Sequence, residues 1–321
     1  MKYLHKFETQ AQCKAYMNGS NYEEPFVGLV AETSKISYNK VIPPPLTFNI
    51  TSPGTIRWTA YDTACTKTIS YSTDNGATWT DVTSNTGSSA PTINVNAGDK
   101  VMFKGDNATY ASGYTYNNSF NGSTAGFELE GNIMSLIDST DTTLTSEYTF
   151  NGLFKGCMGL TSAENLVLPA TTLTRGCYQG MFSGCTSLTI APELPATTLS
   201  AGCYSSMFIG CTGLTTAPEL PATTLMNACY NNMFYNCKSL TTAPELPATT
   251  LKSSCYSTMF AGCTSLNYIK CLATDISAYN CTFGWVNDVA STGTFVKNPN
   301  MSSWTTGVDG IPSGWTVQDA A

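Results

Sequence analysis

The sequence predicts a mixed fold of three parts: a short N-terminal docking segment, a small all-β sandwich domain, and an α/β solenoid with a parallel strand ladder. Three observations predict it. Four copies of a 26-residue unit follow one another without gaps between Leu168 and Cys271. Short alternating runs with turn residues precede them, from Leu46 to Ile133. Three prolines, Pro43 to Pro45, separate that region from the first 40 residues. Internal repetition of this length is typical of solenoids.

Each copy of the repeat places the same residue types at the same positions, and the second copy reads LPATTLSAGCYSSMFIGCTGLTTAPE. The copies begin at four leucines: Leu168, Leu194, Leu220 and Leu246. Degenerate copies precede and follow the array, as a stack of repeats requires where its ends meet water. We expect the equivalent phenylalanines to form one interior row: Phe182, Phe208, Phe234 and Phe260.

The spacing within one copy predicts a short helix followed by an extended segment. Cys203, Met207 and Cys211 are four residues apart, which would place them on one face of an α-helix. The segment from Leu214 to Leu220 contains a proline, Pro218, which is disfavoured in a helix interior and favours an extended chain. Neighbouring copies must then stack, because no single copy can bury its apolar face.

The 13 cysteines suggest a disulfide scaffold at first, but their number is odd and no export signal precedes them. Cys203 and Cys211 would lie about 12 Å apart along one helix, whereas a disulfide needs Cα atoms within about 7 Å. Equivalent cysteines of adjacent copies would be about 5 Å apart, so distance alone leaves bridges between copies open. Because free cysteine packs as a small apolar residue, we expect buried free thiols.

The domain boundaries follow from these changes in pattern. Consecutive prolines favour a stiff, extended linker. Asp74-Asn75-Gly76, between Tyr71 and Trp79, is a hairpin signal within a region of regular short strands, which is typical of a β-sandwich. We predict five segments: an attachment segment (1–40), the linker (41–45), an Ig-like β-sandwich (46–135), the solenoid (136–297) and a C-terminal cap (298–321).

Composition and charge argue against several classes of function. Charged residues make up only 12% of the chain and the net charge is −7, so no basic cluster is present to bind nucleic acid. The N-terminal segment is basic at Lys2, but the apolar stretch of a signal peptide does not follow it. No run of 18 apolar residues occurs, so no transmembrane helix or membrane insertion is expected. If Met1 is the natural start, the chain is made and folded in the cytoplasm.

The units CYSSMFIGCTGL and LPATTL resemble the BspA-like (Treponema-type) leucine-rich repeats. Those repeats carry an AF-x-x-C-x-x-L segment, which is matched here by Met207-Phe208, Cys211 and Leu214. The resemblance covers residues 142–297, although the period is longer than the family's usual one. It implies a leucine-rich-repeat solenoid that mediates adhesion through protein or glycan contact and carries no catalytic residues.

The stretches from Tyr22 to Lys40 and from Ile69 to Gly76 are similar to proteins encoded by tailed phages and prophages of gut anaerobes. That resemblance implies a virion protein, which is made in the host cytoplasm, leaves by lysis and needs no export signal. We therefore predict a non-enzymatic structural or interaction protein of a tailed phage, of the head or tail fibre or decoration type. Residues 1–40 would contact other virion proteins, and the chain would be oligomeric in the particle. The alternative is a bacterial cell-surface adhesin of the same repeat class.

Residues that could carry catalysis or hold a metal are few. The segment Ser72–Trp79 fits the Asp-box pattern S-x-D-x-G-x-x-W of sialidases, but the box is a structural brace there, and a turn braced by its aspartate is favoured here. His5 is the only histidine, and a catalytic triad would have to use it. Stacked Glu193, Glu219 and Glu245 would repel one another unless they are solvated or bridged by calcium, which needs six to eight oxygens. We expect a solvated edge, no cofactor and no enzymatic activity.

Positions that differ between copies form the predicted partner-binding surface. Residues that face the stack must repeat, whereas residues that face solvent are free to differ, and solenoids bind partners across such surfaces. Neutral drift of exposed positions would give the same variation. Ile209 and Tyr235 are the expected anchors, because aromatic residues dominate binding hot spots. A protein or surface glycan of a host cell is the expected partner. The candidate residues are Arg175, Gln179, Ile209, Met226, Asn227, Asn231, Tyr235, Lys238 and Lys252.

Overall fold

The computed structural model describes residues 6–7, 27–32, 35–40, 44–113, 116–137, 143–302 and 304–321. The chain divides into two compact units, residues 1–44 and residues 45–321. In the first unit, strand β1 (Lys6–Phe7) pairs in parallel with β2 (Val27–Glu32), which pairs in antiparallel fashion with β3 (Lys35–Lys40). His5 and residues 41–43 of the predicted linker lie outside the described residues.

The second unit contains strands and three short 3-10 helices, and no α-helix is present among its described residues. The 3-10 helices are Thr63–Cys65, Gly87–Ser89 and Ile133–Leu136. The strands are β4 (Leu46–Ser52), β5 (Gly54–Arg57), β6 (Thr59–Ala60), β7 (Thr68–Ser72), β8 (Thr80–Thr83), β9 (Thr92–Val95), β10 (Lys100–Lys104), β11 (Ala111–Ser112), β12 (Tyr116–Ser119), β13 (Gly126–Asn132), β14 (Leu160–Val167), β15 (Tyr268–Cys271), β16 (Thr294–Lys297) and β17 (Thr316–Asp319). Across the described part of the chain, no helix has the length and apolarity needed to cross a membrane.

One six-stranded sheet organises the region before the repeats. Its strand order is β14-β13-β4-β10-β7-β8, and only β13 and β14 run parallel. Two small sheets, β5-β9 and β11-β12-β6, accompany it. The ring of Phe48 lies 4.6–5.0 Å from those of Phe103, Phe120 and Phe127. Strand β14, which pairs with β13, belongs to the region predicted as the solenoid, and one continuous core contains buried residues of both regions.

The predicted α/β solenoid is wrong, because the helix expected in each copy is a run of tight turns. Every second N–H in this run donates to the carbonyl three residues back, as Ser205 N does to Gly202 O at 3.1 Å. The N–H groups between them donate to the next copy, as Tyr204 N does to Cys229 O at 3.0 Å. An α-helix satisfies its interior N–H groups from within. Here half of them hold adjacent copies together, so a single copy could not satisfy its own backbone.

Positive φ recurs at every fourth residue of these turns and explains why they are not helical. In the first copy the positions are Gly176, Gly180 and Gly184, with φ of 58°, 58° and 74°. This left-handed conformation cannot continue a right-handed helix of L-residues. A period of four directs two consecutive side chains inward and the next two outward. Cys203-Tyr204 and Met207-Phe208 are accordingly buried in the second copy.

The interior phenylalanine row is confirmed. Phe182, Phe208, Phe234 and Phe260 are fully buried and stack with nearly parallel rings, 5.5–5.7 Å apart between centroids. A second row runs beside the first and consists of Tyr178, Tyr204, Tyr230 and Tyr256, at 5.8–6.1 Å. Such aromatic pairs contribute about 0.5–1.5 kcal/mol each beyond the burial of their area. Aromatic residues that recur once in every copy therefore hold successive copies in register.

The predicted continuous ladder of parallel strands is also wrong. Within the described repeats, adjacent copies are joined in their extended segments by isolated bridges, such as Thr172 with Thr198 and Ile190 with Thr216. The three extended segments between consecutive full copies each contain two prolines, for example Pro192 and Pro195. Proline has no N–H and so interrupts a ladder. We call residues 146–288, with their turns and extended segments, the repeat stack.

Aromatic residues follow the last full copy of the stack. Trp285 continues the tyrosine row, with its ring centroid 6.2 Å from that of Tyr256 and 5.6 Å from that of Trp304. The indole N–H of Trp315 donates to Ala290 O at 2.7 Å. Strands β15, β16 and β17 form a parallel sheet in this part of the chain. These residues bury the exposed end of the interior rows.

Candidate functional site

The outward residues of the tight turns form a surface that we call the turn wall. It consists of three columns, each with one residue from each of five successive copies. Because the turns repeat every four residues, the columns are four positions apart within a copy. Three small members, Ser205, Ser257 and Ala261, lie buried at its base. The columns are Arg175, Ala201, Asn227, Ser253 and Tyr279; Gln179, Ser205, Asn231, Ser257 and Phe283; and Ser183, Ile209, Tyr235, Ala261 and Asn287.

The structure brings six of the nine predicted surface residues onto the turn wall. Among them Arg175 and Asn227 are exposed, and four are only half-buried: Gln179, Ile209, Asn231 and Tyr235. The other three, Met226, Lys238 and Lys252, are exposed at positions beside the wall. Ile209 and Tyr235 are thus partly covered, which makes them less prominent than the sequence analysis expected.

Two aromatic side chains of the turn wall were missed by the sequence analysis. Tyr279 is 76% exposed and Phe283 is 56% exposed, and both belong to the degenerate copy that follows the array. A signal for them was present, because they follow Ser253 and Ser257 in the variable columns by one full repeat period. Variation among the four regular copies does not reach them, because they lie in the degenerate copy that follows.

The backbone of the turn wall is held rigidly by hydrogen bonds between copies. Ser254 N donates to Tyr279 O at 3.0 Å, and Thr258 N donates to Phe283 O at 2.8 Å. Side chains add a second set, since the Thr258 hydroxyl donates to Asn232 Oδ1 and the amide of Asn231 donates to Ser257 O at 3.4 Å. Outward side chains therefore project from fixed points, as a preformed binding surface requires.

The exposed residues of the extended segments, in contrast, are nearly identical between copies. The pairs Thr171-Thr172, Thr197-Thr198 and Thr223-Thr224 are all exposed. The glutamates Glu193, Glu219 and Glu245 are exposed as predicted, and Lys270 Nζ lies 2.9 Å from Glu245 Oε2. No group of three or more metal-ligating side chains is found among the described residues. Exposed residues can therefore keep the same identity in every copy. The sequence analysis took variation between copies as the mark of a solvent-facing position, and that criterion misses these residues.

The predicted structural role of the Asp-box segment is confirmed by its hydrogen bonds. Asp74 Oδ1 accepts from Ser72 Oγ at 2.7 Å and from Thr78 N at 2.8 Å, and its Oδ2 accepts from Thr78 Oγ1 at 2.6 Å. The bonds from the Thr78 side chain and backbone lower the pKa of Asp74 to about 2. The indole N–H of Trp79 donates to Gly76 O at 3.0 Å. Both oxygens of the Asp74 carboxylate therefore accept hydrogen bonds from residues of the same turn.

The cysteines of the stack are interior packing groups, and their predicted burial is confirmed. Cys211 Sγ donates to Phe182 O of the preceding copy at 3.1 Å, and Cys185 does the same to Phe154 O at 3.1 Å. Burial raises the pKa of Cys185 to about 12. Because the thiolate is the reactive form, these side chains are poor nucleophiles. They contribute contacts between copies instead of chemistry.

Comparisons of this chain with protein-family models, with curated proteins and with solved structures find no match.

Proposed function

We propose that this chain is a non-enzymatic binding protein whose turn wall contacts a macromolecular partner. The observation that supports this proposal is the contrast between neighbouring surfaces of one stack. The extended segments keep the same exposed residues from copy to copy, whereas the turn wall changes from Arg175 and Gln179 at one end to Tyr279 and Phe283 at the other. Neutral drift of the sequence would change the exposed residues of both surfaces alike. Binding to a partner whose surface does not repeat would instead select different side chains along one surface only.

The scaffold suits this role because its interior is independent of its outer surface. The stacked aromatic rows and the bonds between copies fix the backbone, so outward residues can change without loss of the fold. A rigid surface also loses little conformational entropy on binding. Repeat proteins generally use extended surfaces of this kind.

The setting that we propose for binding is the particle of a tailed phage, with the partner on the surface of a bacterial host. This setting rests on the resemblance of residues 22–40 and 69–76 to proteins of phages and prophages of gut anaerobes. We propose that residues 1–40 attach the chain to other virion proteins. Peptide mass spectrometry of purified particles should detect the chain. Its absence from particles, together with recovery in a bacterial cell-envelope fraction, would instead identify a cell-surface adhesin.

The binding proposal is tested with the purified full chain, labelled with a fluorophore, on intact cells of a panel of anaerobic gut bacteria. An arginine at Asn227 places a long charged side chain on the wall, while an arginine at Thr224 places the same side chain on an extended segment. Both positions are exposed, so both variants should fold. We expect Asn227→Arg to weaken binding about tenfold or more, equivalent to about 1.4 kcal/mol, and Thr224→Arg to leave it unchanged. If the two substitutions changed binding equally, the turn wall would not be the surface that contacts the partner.

A further inference from the structure

We infer that Tyr279 and Phe283 form a stacking platform for a neutral glycan at the C-terminal end of the turn wall. The inference rests on the proposed function and assigns the chemical class of the partner at that same surface. It differs in one respect from the anchors expected at Ile209 and Tyr235, because it places the principal contact further along the stack, in the degenerate copy.

The exposure of the two rings is the first observation. Aromatic residues of the interior rows, such as Tyr256 and Phe260, are at most 1% exposed, whereas Tyr279 is 76% and Phe283 is 56% exposed. Leaving apolar area in water is unfavourable in proportion to the area exposed. Two large rings at outward positions of one copy therefore leave apolar area in water that the interior rows do not use, and exposed apolar area of this kind commonly marks interaction sites.

The preceding copy leaves the two rings uncovered. In the copy before, the same columns hold Ser253 and Ser257, whose side chains are too small to cover an aromatic face. The carbonyls of Tyr279 and Phe283 accept hydrogen bonds from Ser254 N and Thr258 N. The two Cα atoms are consequently fixed, and only the two χ angles of each side chain remain to be ordered when a ligand binds.

The polar groups around the platform are those that bond to hydroxyls. Asn287, on the same copy, is exposed. Asp309 lies beside Phe283. Its Oδ1 accepts a hydrogen bond at 2.5 Å from the backbone N–H of Gly284, the residue that follows Phe283. Asp288, also exposed, follows Asn287. Amide and carboxylate oxygens accept hydrogen bonds from hydroxyl groups, while the two carboxylates and the chain's net charge of −7 oppose an anionic ligand.

A sugar ring matches this combination better than a protein surface does. The C–H groups on one face of a pyranose carry slight positive charge and pack against the negative face of an aromatic ring, while its hydroxyls reach the flanking oxygens. A protein partner would need a larger surface, since a standard interface buries about 800 Å² on each side and is most apolar at its centre. The wall beyond the rings instead offers small polar residues such as Ser253, Asn227 and Asn231, and its two large apolar members, Ile209 and Tyr235, are half-buried. Arg175, at the far end, is the one charged residue in its three described columns.

The first experiment measures binding of the full chain to a microarray of neutral and anionic bacterial-surface polysaccharides. It compares the native chain with Tyr279→Ala, Phe283→Ala and the control Met158→Ala, which removes an apolar side chain that is 66% exposed elsewhere. We expect binding to neutral glycans that falls at least tenfold in either aromatic variant, is unchanged in the control, and is retained in Tyr279→Trp. Equal binding by the native chain and both aromatic variants, or binding to anionic glycans alone, would overturn the inference. Far-ultraviolet circular dichroism checks that each variant is folded.

The second experiment separates this inference from the proposed function. Intact gut bacteria are treated with periodate, which oxidises sugar diols, or with a protease, before the labelled chain is added. Loss of binding after periodate alone supports the glycan platform. Loss after protease alone overturns the platform but leaves a binding function for the turn wall, with a protein as its partner. Failure to bind any untreated cell of the panel counts against both.

Discussion

The substitution Gly180→Ala distinguishes the turn structure from an α-helix, because the two backbones predict changes of opposite sign in the free energy of unfolding. Gly180 has a φ of 58°, and a Cβ atom built there meets nothing closer than 3.9 Å, so the change adds no steric clash with neighbouring residues. The remaining effect is conformational. Holding an L-residue in the left-handed region costs about 1–2 kcal/mol, so we expect the free energy of unfolding to fall by about that amount. In a helix interior the same change would raise it by about 1 kcal/mol.

The assay is thermal and urea unfolding of the full chain, followed by circular dichroism. For a unit of this size, 1 kcal/mol corresponds to a shift of about 2–4 °C in Tm. Gly180→Asn is a matched control, because asparagine tolerates positive φ and occupies the equivalent position in the third copy as Asn232, at a φ of 54°. It should lower Tm less than alanine does. A rise in Tm for Gly180→Ala would refute the left-handed turn and restore the helix.

Three other outcomes follow from the interior and from the Asp-box turn. Phe208→Ala removes a ring stacked 5.5 Å from Phe182 and 5.7 Å from Phe234, and should lower the free energy of unfolding by about 3–5 kcal/mol in urea titrations; a loss below about 1 kcal/mol would mean that the row is loosely packed. The depressed pKa of Asp74, about 2 against the usual 3.8, contributes stability that is present above about pH 4 and is lost as the pH falls toward 2. The urea midpoints of the native chain and Asp74→Asn should therefore converge over that interval, and a constant difference would contradict the assigned hydrogen bonds. Iodoacetamide should label half-exposed Cys65 well before buried Cys185, whose thiol pKa is about 12; peptide mass spectrometry of the folded chain that found the reverse order would disprove the burial.

The turn wall was only partly predictable. Variation between copies identified Asn227 and Asn231 as outward residues, because an interior row must keep its residue type and an outer column need not. The same reasoning would have marked the Thr223-Thr224 pair as buried, whereas both residues are exposed. It also gives no measure of exposure: Tyr235, a predicted anchor, is half-buried, whereas Tyr279, which is 76% exposed, is not among the predicted residues. Exposure depends on the size of neighbours in adjacent copies, which are distant in the chain and close only in the folded stack.

The sequence by itself determined the period of the stack and the residues that fill its interior. Phe182, Phe208 and the equivalent cysteines recur at the same place in each copy, and an apolar side chain that recurs so strictly is buried against its own copies. It did not determine the backbone between them. Spacing of four residues satisfies an α-helix nearly as well as a chain of four-residue turns, and the three glycines at that spacing mark the turns in one copy only.

Tertiary structure decided between those two backbones. Ser206 and Thr258 adopt positive φ, which each disfavours in isolation. They do so because the N–H of each donates to a neighbouring copy, Ser206 N to Asn231 O and Thr258 N to Phe283 O, both at 2.8 Å. A local pattern carries no information about a partner carbonyl in the next copy. The helix is the better local solution, and the turns prevail because adjacent copies exchange the hydrogen bonds that a helix would keep to itself.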